Sequence, residues 1–289
     1  MHRFLLHNGK ILDAAATSLA AGQVGLLAGW GVFSTLRVYD GVLYQWERHW
    51  ARMERDAARL LVPFPLDGGE VKGRLHSLIE ANQAWNATLR VYVVRNRGGI
   101  WEGPGEKPEF DLIGFTTGVV KWPQAAKLGL AAHARHAASE FAGTKYTSWS
   151  ENLTRYERAH QQGLDEVVLL NERGEVAECT SANVFAVEGN RVWTPPLTAG
   201  CLGGVTRAVL VEEVRVSGIE IGEKTLTPAD LESADEVFIT STTRELLPAV
   251  SIEGLRIRGG RAVCGRLQQA FSENTAAYTQ AHRKPVAAS

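Results

Sequence analysis

The sequence predicts an α+β protein built from two domains. The chain has 289 residues, which exceeds the commonest size of a single domain. Apolar residues recur at helical spacing after Trp46, whereas short strand-like segments bounded by turn residues dominate the second half. A stretch ending in Gly and Pro interrupts the regular pattern between them. We therefore expect an N-terminal domain over residues 1–117, a linker over 118–124 and a larger, strand-rich domain over 125–289.

Turn signals and hydrophobic periodicity place the elements of the first domain. Asn-Gly and Asp-Gly turns predict strands at residues 3–7, 32–39 and 42–44. Five apolar residues from Trp46 to Leu60 recur at spacings of three and four, which predicts a helix that ends before Pro63. A second helix at 71–84, a strand at 88–95, a glycine- and proline-rich loop at 96–108 and a strand at 110–116 complete this domain.

The second domain reads as strands with fewer helices. Strands are expected at 166–170, 175–178, 183–187, 191–194 and 237–239. Helices are expected at 149–162, 206–216, 228–232 and 261–280. The helix at 228 is the best defined, because Thr227 can cap it and Pro228 suits its first position.

Composition excludes several classes of function. A net charge of -1 with 22% charged residues indicates neither a nucleic-acid surface nor an acidic tail, so we expect a small-molecule partner. Three cysteines without a C-x-x-C pair favour a reducing, cytoplasmic compartment, and no apolar run approaches a membrane span. We expect no metal site, and solvated or capping roles for the histidines that lack further ligands, His49, His133 and His136.

Lys145 and Glu178 are the candidate reactive residues. Partial burial of Lys145 among polar and aromatic neighbours would favour a free amine, although a surface lysine is the alternative. Glu178 ends a short strand, and if buried it requires a cationic partner such as a pyridinium; a hydrated carboxylate is the alternative.

Two later segments are candidate phosphate sites. Gly203 and Gly204 open a helix whose first amides, at Val205 and Thr206, could receive an anion. The run Thr240 to Thr243 offers hydroxyls and amides at a strand end, where capping is an equal possibility. Arg52 lies at the margin of the apolar stripe of its helix, so its guanidinium could reach a semi-buried anion, or its stem could simply pack.

Together these residues resemble the class IV aminotransferases, the fold-type IV enzymes that use pyridoxal 5'-phosphate. The resemblance combines Gly31-Val-Phe33, Arg37, Asp40-Gly41 and His49-Trp-Ala-Arg52 with Glu178, Asn183, Phe185 and the run Leu202-Gly-Gly-Val-Thr-Arg207. It extends from about Asn8 to Phe271. It implies a small N-terminal α/β domain, a larger strand-rich domain and a homodimer.

The resemblance also implies roles for single residues. Lys145 would bind the cofactor's aldehyde and carry the proton, and Glu178 would pair with the pyridine nitrogen. Asn183 would orient the loop after Glu178. The implied phosphate contacts are Arg52, Val205, Thr206, Ser241 and Thr242. The candidate substrate contacts are Phe33, Arg90, Arg97, Trp149 and Thr243.

The sequence leaves the substrate open within this family. The run Gly200 to Arg207 is similar to branched-chain aminotransferases, which we rank first, whereas Ser34-Thr35 after Phe33 is closer to aminodeoxychorismate lyases. D-amino-acid aminotransferases rank third, because residues 96–108 show no counterpart of their arginine-histidine pair. Trp149 stands where many branched-chain enzymes have a tyrosine. Outside the class, a catalytically silent protein that binds a phosphorylated metabolite remains the alternative.

Overall fold

A computed structural model describes residues 1–19, 23–65, 67–98 and 108–283. Two compact units divide the chain. The first comprises Met1–Val120, Lys145–Trp149 and the chain from Ala276 onward, and the second comprises Lys121–Thr144 and Ser150–Thr275. The domain bounds expected from the sequence stay a prediction. Within the described ranges, no helix has both the length and the apolar content needed to cross a membrane.

The first unit contains a six-stranded sheet in the order β2-β1-β6-β5-β3-β4. Its strands are β1 (Phe4–His7), β2 (Lys10–Asp13), β3 (Gly31–Tyr39), β4 (Val42–Leu43), β5 (Ala87–Arg95) and β6 (Phe110–Thr117). Its helices are α1 (Val24–Leu27), α2 (Trp46–Arg59) and α3 (Gly68–Ala81).

One face of this sheet packs against α2 and α3. Alternate residues of β3, such as Val32 and Leu36, join Met53 of α2 and Leu75 of α3 in a buried core. The intervening residues, beginning with Phe33, therefore point to the opposite face. Two faces with different chemistry follow from this alternation.

Helix α3 begins earlier than the periodicity predicts. Asp67 caps it, since its side chain accepts hydrogen bonds from the amides of Gly69 at 2.8 Å and Glu70 at 3.0 Å. A capping aspartate starts a helix even where two glycines disfavour it. The prediction of residue 71 as the start relied on apolar residues alone.

The second unit contains an eight-stranded sheet in the order β12-β11-β10-β13-β14-β7-β8-β9. Its strands are β7 (Ala126–Arg135), β8 (Glu166–Asn171), β9 (Val176–Cys179), β10 (Asn183–Glu188), β11 (Arg191–Thr194), β12 (Glu220–Glu223), β13 (Glu236–Ser241) and β14 (Glu245–Ile252). Its helices are α4 (Ser150–Gln161), α5 (Val205–Glu212) and α6 (Pro228–Ser233), and α7 (Ala262–His282) begins in it.

Two long strands near the middle of this sheet escaped the sequence reasoning. β7 is rich in Ala and Gly, which have weak strand propensity, and β14 contains Pro248. Both become strands because of their neighbours: β7 pairs in parallel with β8 and β14. The burial of β7 and β14 between other strands outweighs their local preference.

Candidate active site

Lys145 lies in a short segment, Lys145–Trp149, that we call the lysine segment and that is bound to the start of β3. Val32 and Tyr146 form an antiparallel bridge. The amide of Phe33 donates to the carbonyl oxygen of Lys145 at 3.4 Å. The main chain at the lysine is therefore fixed on the sheet of the first unit.

Aromatic rings surround the amino group of Lys145. Its Nζ lies 4.4 Å from the ring centre of Phe33 and 5.2 Å from that of Trp149. Tyr92 stacks on Phe33, with ring centres 5.2 Å apart. The structure thus brings two of the candidate substrate contacts, Phe33 and Trp149, beside the amino group of Lys145.

Arg52 lies on α2 in a buried polar cluster that we call the arginine cluster, formed by Arg52, Ser34 and His49. Its Nη2 donates to Ser34 Oγ at 2.8 Å, and Ser34 Oγ lies 2.7 Å from His49 Nδ1. Burial lowers the pKa of Arg52 to about 10. The guanidinium remains a cation at neutral pH, as an anion site requires.

The expected solvated or capping role of His49 is wrong. The ring is buried, with 1% of its surface exposed, because α2 turns it toward Ser34 of β3. Burial, together with the charges of Arg52 and Lys145, holds the pKa of His49 well below its usual value. Its Nε2 is buried without a hydrogen-bond partner among the described residues. His49 is therefore neutral at physiological pH.

Glu178 ends β9, and both of its oxygens accept hydrogen bonds within the second unit. Oε1 accepts from Arg135 Nε at 2.8 Å, and Oε2 accepts from the amide of Leu202 at 3.0 Å. Arg135 also donates to Asn152 Oδ1 at 3.0 Å. The sequence predicts a pyridinium as the cationic partner of a buried Glu178. In the structure Arg135 is such a partner. A carboxylate has about four lone-pair sites, so Glu178 retains acceptor capacity.

Asn183 connects the Glu178 region to the start of α5. Its Nδ2 donates to the carbonyl oxygen of Leu202 at 2.8 Å, and a Cβ placed on Gly204 would overlap its Oδ1. Only glycine fits there without displacing Asn183. Helix α5 then begins at Val205, followed by Thr206, and no side chain of the described residues caps it. The first amides of α5 suit an anion.

Ser241 and Thr242 lie at the end of β13, which α5 contacts. Ser241 Oγ accepts from the amide of Arg244 at 3.2 Å. The neighbouring Thr240 pairs with Asn183 in the sheet, and its Oγ1 is buried without a partner among the described residues. The start of α5 and the run Thr240 to Thr243 therefore lie at the same end of the paired strands β10 and β13. At Thr243, the carbonyl accepts from the indole of Trp122 at 2.8 Å.

The two candidate arginines for a substrate carboxylate differ in position. Arg90 is exposed on β5, opposite Thr35 and on the same face as Phe33. Arg97 forms a surface ion pair with Glu109 at 3.6 Å. The expected loop at 96–108 lies mostly outside the described residues. The expectation that it has no arginine-histidine pair like that of D-amino-acid enzymes therefore stays a prediction.

Sequence reasoning missed three residues that hold the candidate site. Asp56 accepts from the amide of Lys145, and Arg135 and Asn152 support Glu178. For Asp56 a signal was present: it follows Arg52 by four residues and so shares its helix face. Arg135 had no such signal, because it lies in the unpredicted β7.

Each unit thus carries part of the set of groups that the sequence resemblance implies: the amine of Lys145 in the first unit, and the carboxylate of Glu178 with the start of α5 in the second. The sequence pattern of the amino-transferase class IV family matches residues 31–252. The chain therefore belongs to the class IV aminotransferases, which depend on pyridoxal phosphate.

Relatives and solved structures agree with this family. The chain is 30% identical over 275 residues to a putative branched-chain-amino-acid aminotransferase of Methanocaldococcus jannaschii, covering 92% of this chain and 94% of the relative. It is 29% identical over 259 residues to a D-alanine aminotransferase of Bacillus licheniformis, covering 89% and 90%.

Two solved structures confirm the α+β, fold-type IV prediction. The branched-chain amino acid aminotransferase from Escherichia coli gives a TM-score of 0.86 at 24% identity, covering 95% of each chain. A putative 4-amino-4-deoxychorismate lyase from Legionella pneumophila gives 0.82 at 22%, covering 91% of this chain and 97% of the other.

The described residues fit pyridoxal phosphate in each unit. The first offers an amine and a buried guanidinium. The second offers an anchored carboxylate, the uncapped start of α5 and the buried hydroxyl of Thr240, which has no partner among the described residues. These are the groups that an aldehyde, a ring nitrogen and a phosphate require.

Proposed function

We propose that this aminotransferase moves the amino group of a branched-chain L-amino acid to a 2-oxo acid. The observation that carries the proposal is the pair of aromatic rings beside the Lys145 amino group, Phe33 and Trp149, with Tyr92 stacked on Phe33. A substrate whose α-proton is removed by this amine would place an apolar side chain against those rings. The name of the archaeal relative supports the same substrate class.

Residues of this chain would hold the cofactor and move the proton. Glu178 would accept a hydrogen bond from the ring nitrogen. Arg52, the amides of Val205 and Thr206, and the hydroxyls of Ser241 and Thr242 would bind the phosphate. Pyridoxal phosphate, when bound, supplies an aldehyde for the amino group and a ring that stabilises negative charge at the substrate's α-carbon. The Nζ of Lys145 would take the proton from the substrate's α-carbon and pass it to the carbon that carried the aldehyde, and it would move a proton the opposite way when the 2-oxo acid is aminated.

Arg135 and Leu202 orient Glu178 for this role. A carboxylate that accepts from a guanidinium and an amide has little rotational freedom, so its remaining lone pairs keep a fixed direction. Fixing the cofactor in this way positions the reacting atoms, although the phosphate contacts take no part in proton transfer. Arg90, Arg97 and Thr243 stay candidates for binding the substrate's carboxylate.

Activity assays test the substrate assignment. Purified enzyme with pyridoxal phosphate should convert L-leucine and 2-oxoglutarate to L-glutamate, and Lys145→Ala should abolish the conversion. Trp149→Ala should lower kcat/KM for leucine at least tenfold, because it removes one ring beside the amine, whereas Trp149→Phe keeps a ring and should cost less. Turnover of D-alanine without leucine activity would contradict the proposal.

The lyase remains the second candidate because Ser34 follows Phe33, where aminotransferases often carry an acid. In the structure this serine accepts from Arg52, so the arginine cluster uses a neutral residue at this position. Pyruvate release from aminodeoxychorismate, with no glutamate formed from leucine, would establish that alternative.

We further propose a cytoplasmic homodimer. The three cysteines are unpaired and buried, which suits a reducing compartment. Size-exclusion chromatography with light scattering should give twice the 31.5 kDa chain mass; a single-chain mass at micromolar concentration would contradict the dimer.

A further inference from the structure

Asp56 connects helix α2, which carries Arg52, to Lys145. Its carboxylate is buried, with 1% of the residue exposed. Oδ2 accepts a hydrogen bond from the main-chain amide of Lys145 at 2.9 Å. Oδ1 accepts from Arg55 at 3.0 Å through Nε and at 2.6 Å through Nη2. One side chain therefore holds a guanidinium on one oxygen and the lysine's backbone on the other.

Asp56 lies on the same face of α2 as Arg52. It follows Arg52 by one helical turn, so both side chains lie on the same buried stripe. Arg52 is the expected phosphate contact from this helix, and Asp56 adds to it a contact with the lysine segment. The lysine segment is also bound to β3 through main-chain hydrogen bonds and through the hydroxyl of Thr147, which donates to the carbonyl oxygen of Gly31 at 3.3 Å. A side-chain contact at residue 145 itself fixes the point from which the reactive side chain departs.

We propose that Asp56 is a positioning residue, which sets the direction of the Lys145 side chain relative to α2. This inference rests on Lys145 being the reactive amine, as proposed above. A charged acceptor forms a stronger hydrogen bond to a main-chain amide than a neutral one does. A displacement of about 1 Å in a reacting group can slow a reaction by about 10²-fold.

Asp56→Asn preserves the size of the side chain but not its acceptor pattern. An asparagine has one acceptor oxygen, so its NH2 group would face either the Lys145 amide or the Arg55 guanidinium, both of which are donors. Asp56→Glu keeps the charge and both acceptors but lengthens the side chain by one methylene. Glu54→Gln, an exposed position on the same helix, serves as the matched control.

Reconstitution of the apoprotein separates positioning from folding. Pyridoxal phosphate binds through its aldehyde and its phosphate, whereas pyridoxamine 5'-phosphate has no aldehyde and binds without the lysine bond. We expect Asp56→Asn to slow the appearance of the borohydride-sensitive absorbance band at least tenfold. We expect its Kd for pyridoxamine phosphate to stay within threefold of wild type. Glu54→Gln should match wild type in both measurements.

Two results would overturn the role of Asp56. One is an Asp56→Asn protein that develops the band at the wild-type rate. The other is an equal loss of affinity for both vitamers, which indicates a structural residue. If Asp56→Asn does not fold, Asp56→Glu decides the question on the same two criteria. A wild-type protein that forms no borohydride-sensitive band would instead refute Lys145 as the reactive amine.

Discussion

The buried pair of Glu166 and Arg244 provides the sharpest test of how the second unit holds the segment after Glu178 beside the candidate phosphate run. Glu166 is fully buried and its Oε2 lies 3.1 Å from Arg244 Nη2, whose side chain is 3% exposed. Glu166 also accepts from the hydroxyls of Thr180 and Ser181. Thr180 and Ser181 lie two and three residues after Glu178, and Arg244 follows the candidate phosphate run at Thr240 to Thr243. The pair therefore joins the two segments.

Glu166→Gln should destabilise the protein by about 3 to 5 kcal/mol, since it leaves a buried guanidinium without its counter-charge. An amide in place of Oε2 would also direct its N–H groups at Arg244. Equilibrium unfolding in urea, followed by tryptophan fluorescence, measures the loss. The affinity for pyridoxamine phosphate should fall as well, because the two joined segments would move apart.

The exposed Glu253→Gln is the control and should change stability by less than about 0.5 kcal/mol. Adding Arg244→Met to Glu166→Gln should recover part of the loss, because the unpaired charge is then gone. A loss below about 1 kcal/mol for Glu166→Gln alone would refute this reasoning.

Three further predictions concern single sites. Gly143→Ala should destabilise the fold by about 2 kcal/mol or more, because φ is 71° and a Cβ would lie 2.8 Å from the carbonyl oxygen of Cys201. The free energy of unfolding should decrease as the pH is lowered past about 6.5. The pKa of buried His49 is depressed, so the unfolded chain binds the proton at a higher pH than the folded chain does. Each pH unit costs about 1.4 kcal/mol of stability until the folded chain is protonated too. The thiols of Cys179, Cys201 and Cys264 are buried, and burial raises their pKa values, to about 12 for Cys201 and Cys264. None of the three should therefore react with a disulfide reagent before the protein unfolds.

Each of these predictions has a control. Gly174 has φ of 77° with nothing within 4 Å of a Cβ, so Gly174→Ala should cost only the backbone strain. If Gly143→Ala and Gly174→Ala lose the same stability in urea unfolding, the contact of the Gly143 Cβ with Cys201 contributes nothing and the prediction is wrong. His49→Gln should flatten the acid limb of the stability profile, and an unchanged limb would show that other groups cause it. Prompt thiol labelling of the folded protein would contradict the burial of the cysteines.

Local signals account for the parts of the fold that the sequence predicts. Helix α2 and the β3–β4 hairpin follow from periodicity and an Asp-Gly turn, and helix α6 follows from its cap. β7 and β14 were missed because their composition disfavours strands and only neighbouring strands make them form. In both cases the sheet around them, rather than the local sequence, decides the conformation.

The candidate site divides in the same way. Residue types and their order along the chain predict Lys145, Glu178 and the start of α5 as site residues. They do not predict the partners of these residues: Arg135 is 43 residues from Glu178, and Asp56 is 89 residues from Lys145. Contacts at such separations depend on the tertiary fold, which residue spacing does not encode.

The central claim is that Lys145 is the lysine that binds the aldehyde of pyridoxal phosphate, and identifying the lysine that carries the cofactor tests it most directly. The chain has eight lysines, so the position of the adduct is informative. After reconstitution with pyridoxal phosphate, borohydride reduction and proteolysis, peptide mass spectrometry should find the phosphopyridoxyl group on Lys145 alone. Glu178→Gln should keep that adduct but lose at least 10²-fold in kcat. An adduct on another lysine, with Lys145 unmodified, would contradict the account.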